Sequence, residues 1–251
     1  MKVGVITGAS SGLGREFALR AEEAFPEIER FFLIARRKDR LEETAKLLKK
    51  PAEILPLDLT AEGSVEALTS ALSSCGAEVC LLVNNSGMGV LGEVKEADPG
   101  LQMHMCDLNV RALTGVTAAV LKFMKRGGRI INVSSIASFV PNARMTVYSS
   151  TKAYVTSFSR GLRQELKKEG IGVTAVCPGP MDTEFLDVGG VRGQSPMFKK
   201  LPYCKVPHVV KGAIRAAKRG RAVYTDKLFF KFYRVLAKVL PHAWLIPFVK
   251  T

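Results

Sequence analysis

Metal and disulfide chemistry have little to build on in this sequence: its 251 residues include five cysteines and three histidines. Cys75, Cys80, Cys106, Cys177 and Cys204 form no CxxC pair and no even framework, which excludes a disulfide scaffold and a recognisable cysteine zinc site. His104, His208 and His242 are scattered and no HExxH occurs, so no metal is expected and no catalytic role falls to a histidine. No basic leader precedes the apolar run that begins at Val3, so no secretory signal is expected and a reducing, cytoplasmic setting is the simpler home. Internal repeats and low-complexity linkers are absent as well, and a chain of this length can bury the core of a single domain, 1–251.

Acids are the other shortage. Lys and Arg total 37 against 23 Asp and Glu, a net charge of +14. The excess is localised: residues 199–251 hold 13 bases and one acid, Asp226, whereas residues 1–198 hold 24 bases and 22 acids. The basic surface is thus separate from the motifs that follow. No recognised nucleic-acid module accompanies the charge, and no nucleic-acid partner is expected.

Apolar runs of strand length alternate with stretches of helical period. Val3 to Thr7, Phe31 to Ala35, Ile54 to Leu57, Val79 to Val83, Arg129 to Val133 and Gly172 to Cys177 are nearly continuous in Val, Ile and Leu, as strands covered on both faces must be. Helices are expected from near Gly14, Arg40, Ser64, Pro99 and Val147. The alternation predicts an α/β fold, a Rossmann-like, doubly wound parallel sheet with helices on both faces.

The first strand runs directly into a turn containing Gly8, Ser10, Ser11, Gly12, Leu13 and Gly14, which opens a helix. Glycines there let the backbone approach a pyrophosphate, whose charge the amides and dipole of the helix start favour. Dinucleotide folds that take NAD usually place an acid about 20 residues further on, at the end of the second strand. Here that position is Ala35, followed by Arg36 and Arg37. A guanidinium suits a 2′-phosphate, so NADP(H) is the expected cofactor; the alternative is that both arginines are a solvated strand edge.

Tyr148 and Lys152 lie four apart on a predicted helix, with Ser135 thirteen residues before Tyr148 at a strand end. With the glycine turn, these residues resemble the short-chain dehydrogenase/reductase family. Further matches are Asp58 and Leu59 after the third strand, Asn84 to Gly87 after the fourth, Asn109 within the next helix, and Pro178 to Thr183 after the sixth. The resemblance covers roughly residues 3–185. It implies that Asp58 and Leu59 meet the adenine, that Asn85, Ser86 and Gly87 line the cofactor with Tyr148 and Lys152, and that Pro178, Gly179, Met181 and Thr183 approach the nicotinamide. Ser86 stands where the family usually has Ala, and Met181 where it often has Val or Ile; neither departure removes a reacting group.

Ketone reduction needs a hydride on one face and a proton for the forming alkoxide. Tyr148 would supply the proton. Its ordinary pKa lies near 10, and a Lys152 cation about 4 Å away is worth roughly 4 kcal/mol at an effective dielectric near 20, which favours phenolate until desolvation opposes it. Ser135 would hydrogen-bond the substrate oxygen, with Ser134 supporting the strand end. Asn109 resembles the family residue that holds a water against Lys152; its alternative role is to tether a helix backbone.

Residues 184–205 mix Phe185, Leu186, Met197, Phe198, Leu201 and Tyr203 with glycines, the composition of either a substrate lid or an ordinary surface loop. A lid of this kind points to a lipophilic carbonyl or alcohol such as a steroid, an acyl thioester or a fatty chain. Residues 206–251 are expected to form a basic helical extension. In it Lys227, Lys231, Arg234 and Lys238 share one helix face, and Pro241 with the interspersed charges argues against a membrane span. Such a helix would pack on its own domain, join a homo-oligomer contact, or meet an acidic partner, either an anionic membrane surface or an acidic carrier protein. A second functional class remains open, an NADPH-binding redox sensor or interaction protein without turnover, against which stands the complete set Asn109, Ser135, Tyr148 and Lys152.

Overall fold

The computed structural model describes residues 1–190, 194–195, 197–198, 201–249 and 251. Seven parallel strands form one sheet in the order β3-β2-β1-β4-β5-β6-β7. They are β1 Lys2–Thr7, β2 Arg30–Ala35, β3 Ala52–Pro56, β4 Glu78–Asn84, β5 Met124–Val133, β6 Gly172–Val176 and β7 Val223–Tyr224. The doubly wound, Rossmann-like fold read from the alternation of apolar runs is the fold observed.

Because successive strand residues point to opposite faces, each strand feeds two cores. Phe31 and Leu33 enter one and Phe32 and Ile34 the other. On the first face the core is closed by α1 (Gly12–Ala24), α2 (Lys38–Lys46) and α8 (Val206–Lys218), through Phe17, Leu41 and Val210. On the second it is closed by α3 (Ser64–Ser74), α5 (Leu113–Leu121) and α6 (Thr146–Glu165), through Leu68, Val116 and Leu162.

Helix α4 (Pro99–Cys106) starts with Asp98 capping the Leu101 amide at 2.7 Å and Pro99 in its first turn. It continues through a π-helical turn, Asp107–Ala112, into α5. The sequence reading identified the helix start but not the wide turn within it. Strand β7 was also unread: two residues carry no periodicity, and Val223 and Tyr224 become a strand only by pairing with Ala175 and Val176. Beyond β6 lie α7 (Glu184–Val188), α9 (Leu228–Val239) and α10 (His242–Leu245).

Chain order reverses between β1 and β4, whose C-terminal ends part to form a cleft, the usual ligand position in such sheets. Phe17, fully buried on α1 beneath the turn that borders this cleft, gives a direct check of the packing. Phe17→Ala should lower stability by about 3–5 kcal/mol, seen in urea unfolding as a lower midpoint with an unchanged slope.

Candidate active site

The turn after β1 is shaped by steric demands that only glycine meets. Gly8 and Gly12 have φ of 65° and 51°, and a side chain at Gly14 would collide with the Gly8 carbonyl. Ser11 caps α1 without a side-chain bond to the helix, and the first turn contains no acid, so no carboxylate of the helix itself occupies its leading amides. Donors and space there fit a dinucleotide phosphate.

A second loop, following β4, is fastened to this turn. Thr7 Oγ1 accepts from the Asn85 and Ser86 amides at 2.9 and 3.0 Å, and Asn85 Nδ2 donates to the Thr7 and Gly8 carbonyls, both at 3.2 Å. Asn85 therefore joins the two loops through both its amide and its side chain. Asp58 is held by the Thr60 amide and hydroxyl at 2.9 and 2.7 Å; these bonds, with Arg36 nearby, hold its carboxyl below the usual range. Leu59 is buried beside it.

Arg36 and Arg37 both border the cleft. Arg37 Nη2 reaches Ser10 Oγ at 3.5 Å, Ser11 Oγ at 3.3 Å and the Glu184 carboxylate at 2.7 Å. The Arg37 guanidinium, with Ser11 and Arg40 nearby, lowers the Glu184 pKa. The result is an anion site whose present anion is a side chain at the start of α7. No local pattern marks Glu184, which lies 147 residues beyond Arg37.

Ser135, two residues beyond β5, caps a 3₁₀ turn, Ile136–Ser138, its Oγ accepting from the Ala137 amide at 3.1 Å. Tyr148 lies in the first turn of α6, with its hydroxyl on the side of Ser135. Lys152, one turn later, sends Nζ to the Val133 carbonyl at 3.0 Å and lies 5.8 Å from the centre of the Tyr148 ring. Ser134 donates to the Lys152 carbonyl at 2.7 Å, joining strand to helix. Asn109, in the π turn, donates to the Met88 carbonyl at 2.8 Å and Thr151 Oγ1 at 3.0 Å, and accepts from the Met88 amide at 2.9 Å. Both its hydrogens are engaged while its oxygen keeps one lone pair. That oxygen and Lys152 Nζ both crowd Gly87, where a Cβ would come within 3.0 and 3.2 Å of them.

Spacing alone suggested that Lys152 would bring the phenol into an accessible range, but burial dominates. Desolvation pushes the Tyr148 hydroxyl up to about 12, with Ser135 opposing it, and lowers the Lys152 ammonium to about 8. Across neutral pH Tyr148 keeps its proton.

The segment after β6 closes the floor. The Pro178 carbonyl accepts from the Ile136 amide at 3.0 Å, and Gly179 lies so close to the Phe230 ring that any side chain would collide with it. Met181 packs at the edge of the first core and Thr183 precedes α7. The whole cleft measures about 1020 Å³. Phe185, Leu186, Met197, Phe198 and Leu201 of the expected lid border it, whereas Tyr203 does not. Lid positions 191–193, 196, 199 and 200 lie outside the described residues.

Sequence reasoning missed a third wall. Phe229, Phe230 and Tyr233 of α9, with Phe248 and Val249, border the same cleft, and Tyr233 meets Phe139 at a ring separation of 5.9 Å. The chain end folds back here, the Thr251 amide donating to the Ala143 carbonyl at 3.3 Å. The amphipathic pattern of α9 was visible in the sequence, but which element its apolar side would meet was not.

Residues 2–188 match the family profile described as short chain dehydrogenase. An uncharacterised oxidoreductase of Staphylococcus epidermidis is 30% identical over 188 residues, 74% of this chain and 80% of the relative. Among solved structures, a short-chain dehydrogenase from Sphingobium yanoikuyae in complex with NADPH is 29% identical, with a TM-score of 0.79 and coverage of 97% of this chain and 98% of that one. The bulky-bulky ketone specific alcohol dehydrogenase from Comamonas testosteroni is 26% identical, with a TM-score of 0.74 and coverage of 97% and 96%.

The lowered pKa of Lys152 predicts a pH dependence of stability. Between its folded value of about 8 and its ordinary 10.5, the unfolded chain binds more protons at this group. The cost of burying the charge is therefore present in full below about pH 8 and relieved as pH rises toward 10.5. Tyr148 acts oppositely, removing stability from its ordinary 10.0 toward about 12. Urea unfolding of the wild type at pH 7 and pH 10 should include a gain of about 2 kcal/mol from Lys152; Lys152→Met should lack that increment, and an identical pH profile in both proteins would contradict the assignment.

Proposed function

The chain belongs to the short-chain dehydrogenase family, and we propose that it is an NADP(H)-dependent oxidoreductase acting on a lipophilic carbonyl or secondary alcohol. The observation that carries this reading is the meeting of Ser135, Tyr148 and Lys152 at the floor of a cleft whose opposite side is a phosphate-shaped glycine turn.

A nicotinamide cofactor bound in the cleft would supply or accept the hydride. In reduction, Ser135 and Tyr148 hydrogen-bond the substrate oxygen, and Tyr148 transfers its phenolic proton as negative charge develops there. Burial keeps that proton in place until an acceptor arrives. Lys152 stabilises the phenolate left behind, and the free lone pair of Asn109 would hold a water that returns a proton through Lys152. Asn109 would thus both tether the Met88 backbone and extend the proton path. The rival reading, cofactor binding without turnover, offers no reason for burying an ammonium beside a phenol.

Support for NADP(H) over NAD(H) comes from Arg36 and Arg37 where an acid would otherwise stand, from the anion already held by Arg37, and from the NADPH complex of the Sphingobium yanoikuyae relative. A lipophilic substrate is supported by the outer cleft, where Met88, Leu101, Met145, Phe198 and Phe229 outnumber polar groups, and by the bulky ketone specificity of the similar Comamonas testosteroni enzyme. Residues 1–251 form one catalytic unit in this reading, with 184–205 as its lid and 206–251 as a basic helical extension. Exposed Met103 on α4 and Tyr154 on the neighbouring α6 support a subunit contact in a homo-oligomer.

Turnover of a panel of lipophilic ketones with NADPH tests the activity. Tyr148→Phe should reduce kcat by at least about 100-fold while NADPH binding survives, and Ser135→Ala should also depress kcat; near-normal turnover by Tyr148→Phe would overturn the proton-transfer role.

Cofactor choice has its own check. Arg36→Ala and Arg37→Ala should each weaken NADPH by roughly tenfold or more and NADH far less, since only NADPH carries the 2′-phosphate. Glu184→Gln should strengthen NADPH binding and leave NADH nearly unchanged, because the carboxylate competes for Arg37. Equal effects on both cofactors across these variants would remove the case for NADP(H).

A further inference from the structure

We propose that helix α9 and residues 244–248 dock on an anionic lipid surface, so that the cleft opens toward the hydrocarbon rather than toward water. This rests on the lipophilic-substrate reading and supplies the route by which such a substrate would arrive.

Helix α9 divides into strips. At about 100° per residue, Leu228, Phe232, Val235 and Val239 fall within about 60° of one another. They are 80%, 62%, 54% and 74% exposed. On the opposite side Phe230 and Ala237 are buried, so the helix is anchored to its own domain by one face while a second apolar face stands in solvent. Lys227, Lys231, Arg234 and Lys238 occupy one flank between the two, and among the described residues none of the four takes part in an ion pair. On the other flank Phe229 turns to the cleft. Trp244 and Phe248 extend the exposed apolar surface beyond α9, and Phe248 borders the cleft as well.

An apolar strip beside a row of cations is the pattern of a helix lying in a bilayer interface, with the strip in the acyl boundary and the cations on anionic headgroups. Among the described residues no helix is long and apolar enough to cross a membrane, so docking would be peripheral. Charge argues against a second copy as the occupant: residues 227–251 contain five bases and no acid, and two such segments would bring like charges together. An acidic protein would pair the cations but would offer no hydrocarbon to Leu228, Phe232, Val235 and Val239. A bilayer satisfies both, and with Phe229 and Phe248 at the mouth a lipid-soluble ketone would pass from acyl chains to Tyr148 without crossing water.

Trp244 is the only tryptophan in the sequence, so intrinsic fluorescence reports directly on this surface. The full chain should co-sediment with vesicles containing phosphatidylglycerol, with a blue shift of Trp244, and bind vesicles of phosphatidylcholine alone far less. High salt should weaken the binding. Neutralising Lys231 and Lys238 (Lys231→Gln, Lys238→Gln) should weaken it by about fivefold each. Phe232→Gln with Val235→Gln should abolish the blue shift while leaving NADPH binding and turnover of a short, water-soluble ketone unchanged. Absence of binding by a folded, active wild type would overturn the proposal. So would binding that these variants leave intact, or a self-association that Phe232→Gln disperses in the absence of lipid. Vesicle binding is read without turnover, so an inactive protein that still docks would defeat the functional reading alone, and an active one that does not dock would defeat only this inference.

Discussion

Lys152 occupies a place where an ammonium is costly. It is almost wholly buried, its pKa is depressed by desolvation, and its Nζ is held by the Val133 carbonyl at 3.0 Å. That bond ties α6 to the end of β5, and Ser134 strengthens the tie by donating to the Lys152 carbonyl. With helix and strand end joined, Tyr148 one turn before Lys152 and Ser135 two residues after Val133 are brought together on one wall of the cleft. The arrangement holds a phenol protonated and a cation behind it, at an energetic cost borne by the packing of the sheet.

Around that tie the backbone is arranged by short polar bridges. Thr7 receives two amides from the loop after β4, Asn85 returns to two carbonyls of the glycine turn, and Asn109 fastens Met88 from a π turn. These bonds join loops far apart in the chain at the position where strand order reverses. Amides and carbonyls that would otherwise lack partners find them in the side chains of Thr7, Asn85 and Asn109, which hold the loops that wall the cleft.

The C-terminal segment adds a different constraint. Phe230 is driven into the first core against Gly179, which commits α9 to lie beside the cleft. A helix so anchored cannot bury its whole circumference on its own domain. One flank completes the cleft, one carries cations, and the face opposite the core stays apolar and exposed. Four of the bases behind the charge asymmetry, Lys227, Lys231, Arg234 and Lys238, thus acquire a location on the flank of a helix that borders the cleft.

The sheet, its parallel order and the glycine turn were legible in the sequence because each rests on local periodicity: strands covered on both faces need unbroken apolar runs, and a turn approaching a phosphate needs glycine. Tyr148 and Lys152 were legible as a pair on one helix face from their four-residue spacing, and as a candidate site only through the family resemblance that Ser135 and the glycine turn complete. Only the tertiary structure decided that burial outweighs the cation at Tyr148, that Glu184 sits on Arg37, that two residues form β7, and that Phe229, Tyr233 and Phe248 complete the cleft. Solvation and the choice of partner depend on groups brought together from distant parts of the chain, and no local spacing encodes which of them will meet.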